Sequence, residues 1–262
     1  FIYYIIDAST LILIDVSGPG VPHLAGAAYA QSGTFANATL GSSVFVVSGN
    51  RASDKQPYGQ GARFDTNTAA GTFSGGIFDV NNAGTVTLGT PFTSAATYNI
   101  TTTGRGTMST GSSSFIFWLA SAKQGVIMES DTVNVASGLL LQQQQSGFTS
   151  LTGGFAFVTS GFDQTGTTPF ATDGQFTSSG FSVSGTLDLN SAGTTTSNSA
   201  FTGGTLSVNT NGTGSVAISP SALSARYNLY FVSPNRFLML STNAISPVLS
   251  GASERQCSDC TF

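Results

Sequence analysis

Phe115-Ile-Phe-Trp-Leu-Ala-Ser-Ala-Lys-Gln-Gly-Val-Ile-Met128 is the stretch that decides the architecture. Two apolar runs, 115–120 and 126–128, flank a short polar step, the pattern of a β-hairpin. A strand with one wet face alternates apolar and polar residues. This one does not. Phe115, Phe117 and Leu119 point to one side, while Ile116, Trp118 and Ala120 point to the other. A strand that is apolar on both sides has both sides covered.

The hairpin recurs. Phe1-Ile-Tyr-Tyr-Ile-Ile-Asp-Ala-Ser-Thr-Leu-Ile-Leu-Ile14 resembles it at an offset of 114 residues, and Tyr227-Asn-Leu-Tyr-Phe-Val-Ser-Pro-Asn-Arg-Phe-Leu-Met-Leu240 at 112. Gly76-Ile-Phe-Asp-Val-Asn-Asn-Ala-Gly-Thr-Val-Thr87 matches Gly185-Thr-Leu-Asp-Leu-Asn-Ser-Ala-Gly-Thr-Thr-Thr196 at seven of twelve positions. Tyr98-Asn-Ile-Thr-Thr-Thr-Gly-Arg-Gly-Thr107 pairs with Leu206-Ser-Val-Asn-Thr-Asn-Gly-Thr-Gly-Ser215, and Phe45-Val-Val-Ser-Gly49 with Phe157-Val-Thr-Ser-Gly161. The blocks keep their order and nearly their spacing, which is the mark of a repeat. Residues 32–145 form one unit and 146–262 a second. Residues 1–31 correspond to the last quarter of a unit.

Each unit reads as short strands joined by turns. In the first they fall near 43–49, 58–66, 72–80, 84–89, 95–102, 106–110, 114–121, 124–130 and 136–143. The N-terminal piece adds 1–7, 10–16 and 25–31. Asn211-Gly212 carries the type I′ hairpin signal, with Gly104-Arg-Gly106 in the matching place. The stretch 79–84 reads as an Asx-rich turn, and Pro234-Asn235 as a hairpin tip. No window has a helical period. The expected fold is all-β, with two tandem antiparallel barrel-like repeats and a partial third; immunoglobulin-like sandwiches are the alternative.

Composition narrows the function. Hydrophobic residues make up 40% and charged residues only 8%, with 32 glycines and 20 phenylalanines. Thr, Val and Phe suit pleated strands, and Gly and Asn suit turns, as in extracellular β-proteins and fibre subunits. The net charge is −4 and the lysines are two, Lys55 and Lys123. That argues against a nucleic-acid partner, which requires clustered cations. Low charge also removes a defence against self-association. The apolar opening is broken by Asp7 and Asp15 and is too short to span a membrane. No signal peptide is visible and the chain does not begin with Met, as for a removed leader or a segment of a longer protein.

Sites of chemistry are sparse. Cys257 and Cys260 could form a local or interchain disulfide. A zinc site needs more ligands, and the only histidine, His23, is distant in sequence. Asp79-x-Asn81 and Asp188-x-Asn190 supply too few oxygens for calcium and read as turn caps. His23 lacks the context of a catalytic triad, and no glycine-rich segment has a phosphate-binding context. Asn37, Asn99 and Asn211 fit the N-glycosylation triplet, so glycans are compatible. The expectation is a chain without catalytic residue, metal or cofactor, and not an enzyme.

The blocks 76–87, 98–107 and 115–128, with partners 185–196, 206–215 and 227–240, resemble repeats of long secreted proteins of environmental bacteria, mostly of unknown function. The resemblance implies export and a barrel-like fold, and no catalytic residue. The N-terminal strands lack the rest of their barrel, leaving open edges and an apolar face. Together these features point to a structural subunit of an extracellular filament or surface assembly. Copies would join by strand complementation through Phe1, Ile2, Tyr3, Tyr4, Ile5, Ile6, Leu11, Leu13, Ile116 and Trp118. The alternative is a secreted barrel that binds a small ligand or carbohydrate in its mouth.

Overall fold

A computed structural model of the chain describes residues 2–16, 25–219, 223–244 and 247–256. Three strands come first: β1 (Ile2–Asp7), β2 (Thr10–Ile14) and β3 (Ala25–Tyr29), an antiparallel sheet in that order. The first barrel follows, made of β4 (Ser43–Arg51), β5 (Pro57–Asn67), β6 (Thr72–Asn82), β7 (Thr85–Pro91), β8 (Thr97–Ile100), β9 (Arg105–Ser109), β10 (Ser114–Leu119), β11 (Gln124–Glu129) and β12 (Asn134–Gln142). The second contains β13 (Gly153–Phe162), β14 (Pro169–Ser179), β15 (Ser182–Ser191), β16 (Thr194–Val208), β17 (Thr213–Ile218), β18 (Ala225–Ser233), β19 (Arg236–Ser241) and β20 (Val248–Arg255).

Both barrels close. In the first, β12 pairs with β4 and β5 with β6, completing an eight-stranded ring with β7 laid along β6. In the second, β13 pairs with β20. Closure pairs every strand edge in the ring, which excludes the sandwich alternative. The strand layout of the two copies differs after β6. The single strand β16 runs where β7 and β8 are separate, because the chain after Pro91 turns Phe92 onto Phe64, Phe73 and Phe78.

The turn chemistry is partly relocated. Asn211 is not left-handed; only Gly212 is, with φ 85°, in a loop closed by the Gly212 N–H on the Asn209 carbonyl. The two-residue turns with positive φ at both positions are Ala83-Gly84 and Ala192-Gly193. Asn81 and Asn190 brace them, each side-chain oxygen accepting from the glycine N–H at 3.0 and 2.9 Å. Asp79 and Asp188 do not cap these turns. They lie within β6 and β15 and accept from the N–H of Gly89 and Asn198, both left-handed residues on the adjacent strand.

Inward residues fill each barrel. Phe45, Phe64, Phe115 and Phe117 pack in the first, and Phe155, Phe176, Phe231 and Phe237 in the second. The outer face of β18 and β19 is also buried, because Tyr230, Val232, Leu238 and Leu240 pack on Val44, Val46 and Leu141 of the first barrel. Gly61 makes this possible: a β-carbon there would lie on the Tyr230 ring. The Tyr230 hydroxyl donates to Asp79 Oδ2 at 2.6 Å, and the Asn228 amide donates to the same oxygen at 2.8 Å. Burial and the adjacent Asp79 push the Tyr230 phenol well above its ordinary pKa.

Removing the Tyr230 hydroxyl leaves the buried Asp79 Oδ2 with the Asn228 amide and one donor fewer, a loss of about 1–3 kcal/mol. Tyr230→Phe is expected to lower unfolding free energy in urea by that amount, with the double variant Tyr230→Phe/Asp79→Asn recovering part of it.

Candidate ligand site at one end of the first barrel

Four polar side chains turn inward at one end of the first barrel. Tyr58 and Gln60 come from the start of β5, Glu129 from the end of β11 and Asn134 from the start of β12. The strand register sets this geometry. Gln60 is opposite Val47, and Phe115, an inward residue, is opposite Glu129. The β11–β12 turn is folded by Asp131, whose carboxylate accepts from the N–H of Val133 at 2.9 Å and of Asn134 at 3.4 Å.

All four residues are more than nine-tenths buried. The Tyr58 hydroxyl donates to Gln60 Oε1 at 2.7 Å, and the Asn134 amide donates to Glu129 Oε1 at 3.1 Å. Three buried atoms have no hydrogen-bond partner: Gln60 Nε2, Glu129 Oε2 and Asn134 Oδ1. Such atoms are uncommon inside a barrel, because each carries a desolvation penalty. Burial pushes the Glu129 carboxyl up to about 7, the charge of Asp131 adds to this, and the Asn134 amide works against it. Burial, then the charge of Glu129, raises the Tyr58 phenol.

The second barrel has the same positions with different chemistry. At the Glu129 position stands Ser241, which donates to the Pro247 carbonyl at 3.0 Å and accepts from the Leu249 N–H at 2.8 Å. At the Gln60 position stands Thr172, bonded to Thr159 at 2.8 Å, with Tyr227 adding a 3.3 Å bond to Thr159. That end is therefore satisfied, while its counterpart in the first barrel is not.

Tyr58 also lines a cleft of about 350 Å³ between the barrels, with Pro57, Phe162, Pro169, Phe170 and Val248 among its walls. A second depression of about 380 Å³ shares Asn50 and Phe162 with it and carries Arg51 and Lys55. Arg51 is held there by Asp54, by Gln56 at 2.6 Å and by Asn82 at 3.2 Å. The cleft is of ligand size, and of the four clustered residues Tyr58 alone is among those that line it.

The residues expected from the sequence to join copies lie elsewhere. Ile2, Tyr3, Tyr4, Ile5 and Ile6 are exposed on β1, and Leu11 and Leu13 are half-buried on β2. Ile116 is half-buried and Trp118 exposed on the outer face of β10. Phe1, His23, Cys257 and Cys260 lie outside the described residues. Asn37 uses its side-chain oxygen to accept from the Ile100 N–H at 2.7 Å, whereas Asn99 is exposed. Among the described residues no three side chains group as metal ligands, and no helix is long and apolar enough to cross a membrane. Sequence reasoning missed all four, Tyr58, Gln60, Glu129 and Asn134. The available signal was a Glu ending an apolar strand whose counterpart in the repeat ends in Ser.

No protein family matches the sequence, and no curated protein does. Among solved structures the chain is similar to kievitone hydratase from Nectria haematococca, with 9% identity, a TM-score of 0.30 and coverage of 82% of this chain and 88% of that one. It is also similar to a candidate AttH protein from Nitrosomonas europaea, with 11% identity, a TM-score of 0.24 and coverage of 82% and 92%. The expectation that this chain is not an enzyme is corrected here, since a structure matched over most of both chains is a hydratase. At these TM-scores the likeness carries no activity over.

Glu129 also predicts a pH dependence. Its folded pKa of about 7 exceeds the ordinary 4.5, so the native state binds the extra proton between those values. Stability is expected to fall as pH rises through that window and to level off above it. Urea midpoints of Glu129→Gln, subtracted from those of the wild type across this range, should show that slope as the difference.

Proposed function

We propose that the chain is an extracellular β-barrel protein that binds a small, largely apolar molecule bearing a hydroxyl group at the Tyr58–Glu129 end of the first barrel. The observation that supports this is that three buried atoms at this end, Gln60 Nε2, Glu129 Oε2 and Asn134 Oδ1, one donor and two acceptors, have no partner. A hydroxyl both donates and accepts, so it suits an acceptor-seeking amide such as that of Gln60 as well as an oxygen such as Glu129 Oε2. Protonated Glu129 would offer a further donor, which couples binding to pH around 7. The aromatic walls Phe162 and Phe170 suit the apolar body of such a ligand. The extracellular placement is supported by the low charge and by the resemblance to secreted bacterial repeats.

The second reading is a subunit of a filament or surface assembly, joined to copies of itself and compatible with glycans. Its support is the apolar sheet β1–β3, with Tyr3 62% and Ile5 69% exposed.

Protein purified from its natural source, extracted and analysed by mass spectrometry, is expected to yield a hydroxyl-bearing small molecule. Gln60→Leu should weaken rebinding of that molecule by about tenfold or more, the worth of one hydrogen bond in a buried site. An extract with no small molecule, with Gln60→Leu unfolding at the wild-type urea concentration, would defeat the ligand-binding reading.

A further inference from the structure

The junction between the two barrels occurs twice in this chain. After β12, the Gln143 amide donates to the Phe231 carbonyl at 2.9 Å and the Gln144 N–H donates to the Val232 carbonyl at 2.8 Å. After β3, the Gln31 amide donates to the Leu119 carbonyl at 2.7 Å and the Ser32 N–H donates to the Ala120 carbonyl at 3.0 Å. Each of these four residues stands 112 positions before its counterpart. The strands agree as well. Tyr3 faces Leu13 as Phe117 faces Ile127 and Leu229 faces Met239. So β1–β3 stand to the first barrel as β10–β12 stand to the second.

The outer faces differ in one respect. Tyr230 and Leu240 are fully buried on the first barrel, whereas their counterparts Trp118 and Met128 are 46% and 51% exposed. The sheet β1–β3 covers this face only in part. A groove of about 400 Å³ runs between Ala27 and Tyr29 of β3 and Ile116, Trp118, Val126 and Met128. Ala27 and Tyr29 occupy the places of Leu139 and Leu141, which pack on Tyr230 and its neighbours.

A glycine carries the comparison further. Gly138 in β12 and Gly251 in β20 face the same inner position, and a β-carbon on either would strike the backbone of the adjoining strand, at Val46 and at Val158. Gly26 of β3 is their counterpart, pairing with Leu13 as Gly138 pairs with Ile127. A β-carbon on Gly26 would meet nothing. The residue is matched to a strand of the β4 type along the open edge of β3.

We propose that β1–β3 are the closing strands of a third barrel of this kind, and that Ile116, Trp118, Val126 and Met128 form the docking face for that barrel. The occupant is the set of strands of the β4–β9 type, carried by the same polypeptide ahead of Phe1. The order of strands in both closed barrels argues this, since the closing three always follow the others. The docking chemistry follows from the junction already formed. A glycine at the Gly61 place receives the Trp118 ring, and an oxygen acceptor at the Asp79 place takes its indole N–H. A second copy of the chain does not offer this face. Its free counterpart of β4 and β5 is β13 and β14, where exposed Asp173 stands at the Gly61 place.

Trp118 is the single tryptophan of residues 1–262, so its emission reports on this face alone in that chain. The comparison is between the polypeptide as encoded in its natural gene and the chain 1–262, with Trp118→Phe of each subtracted. In the encoded polypeptide, Trp118 emission should shift to the blue, acrylamide quenching of it should fall, and amides of residues 2–7 and 25–29 should exchange more slowly. Equal quenching in the two proteins would overturn the proposal, and so would an encoded polypeptide with no barrel pattern ahead of Phe1. Concentration-dependent loss of quenching in the chain 1–262, accompanied by a dimer in sedimentation, would assign the face to a second copy and overturn it too.

Discussion

Strands β18 and β19 are apolar on both faces, and the need to cover the second face organises the junction of the two barrels. Closure hides the inner faces of β18 and β19; the outer face is hidden only because the first barrel presents Val44, Val46 and Leu141 to it. That contact depends on Gly59 and Gly61, which flatten β5 enough for Leu240 and Tyr230 to lie against it. At about 25 cal/mol per Å² of apolar surface removed from water, such a face supplies much of what holds two barrels together. The polar bonds at its edge, Tyr230 and Asn228 to Asp79 and Asn81 to the Ser241 carbonyl at 2.9 Å, fix the orientation.

The two barrels share a scaffold and diverge in chemistry. Strand register is common to both, so equivalent residues occupy equivalent places in the barrel wall. At the end facing the cleft, one copy holds Ser241 and Thr172, small groups that close their own hydrogen bonds. The other holds Glu129 and Gln60, longer groups with atoms left over. A buried carboxyl with an unmet oxygen costs stability that the serine copy avoids. Retaining such a cost at one end of one barrel only is the pattern expected where stability has been given up for binding or proton transfer.

Much of the fold is legible in the residues. Strand positions followed from turn glycines, β-branched runs and the repeat, and the doubly apolar hairpin 227–240 announced that its outer face needed a cover. Turn type was less legible. Asn211-Gly212 has the composition of a two-residue turn but sits in a longer loop, while the left-handed pairs are Ala83-Gly84 and Ala192-Gly193, held by Asn81 and Asn190 from outside the turn. Asp79 read as a turn cap because the pattern resembles one; its oxygens instead serve a bulge on β7 and a tyrosine 151 residues away.

By itself the sequence determined strand type, repeat order and the number of apolar faces, because these depend on periodicity and on local turn preferences. Only the tertiary structure decided which partner covers each face, which polar groups meet, and that Glu129 lies beside Tyr58 rather than in water. Those outcomes depend on closure and register, which bring together residues from β5, β11 and β12 that no local spacing relates.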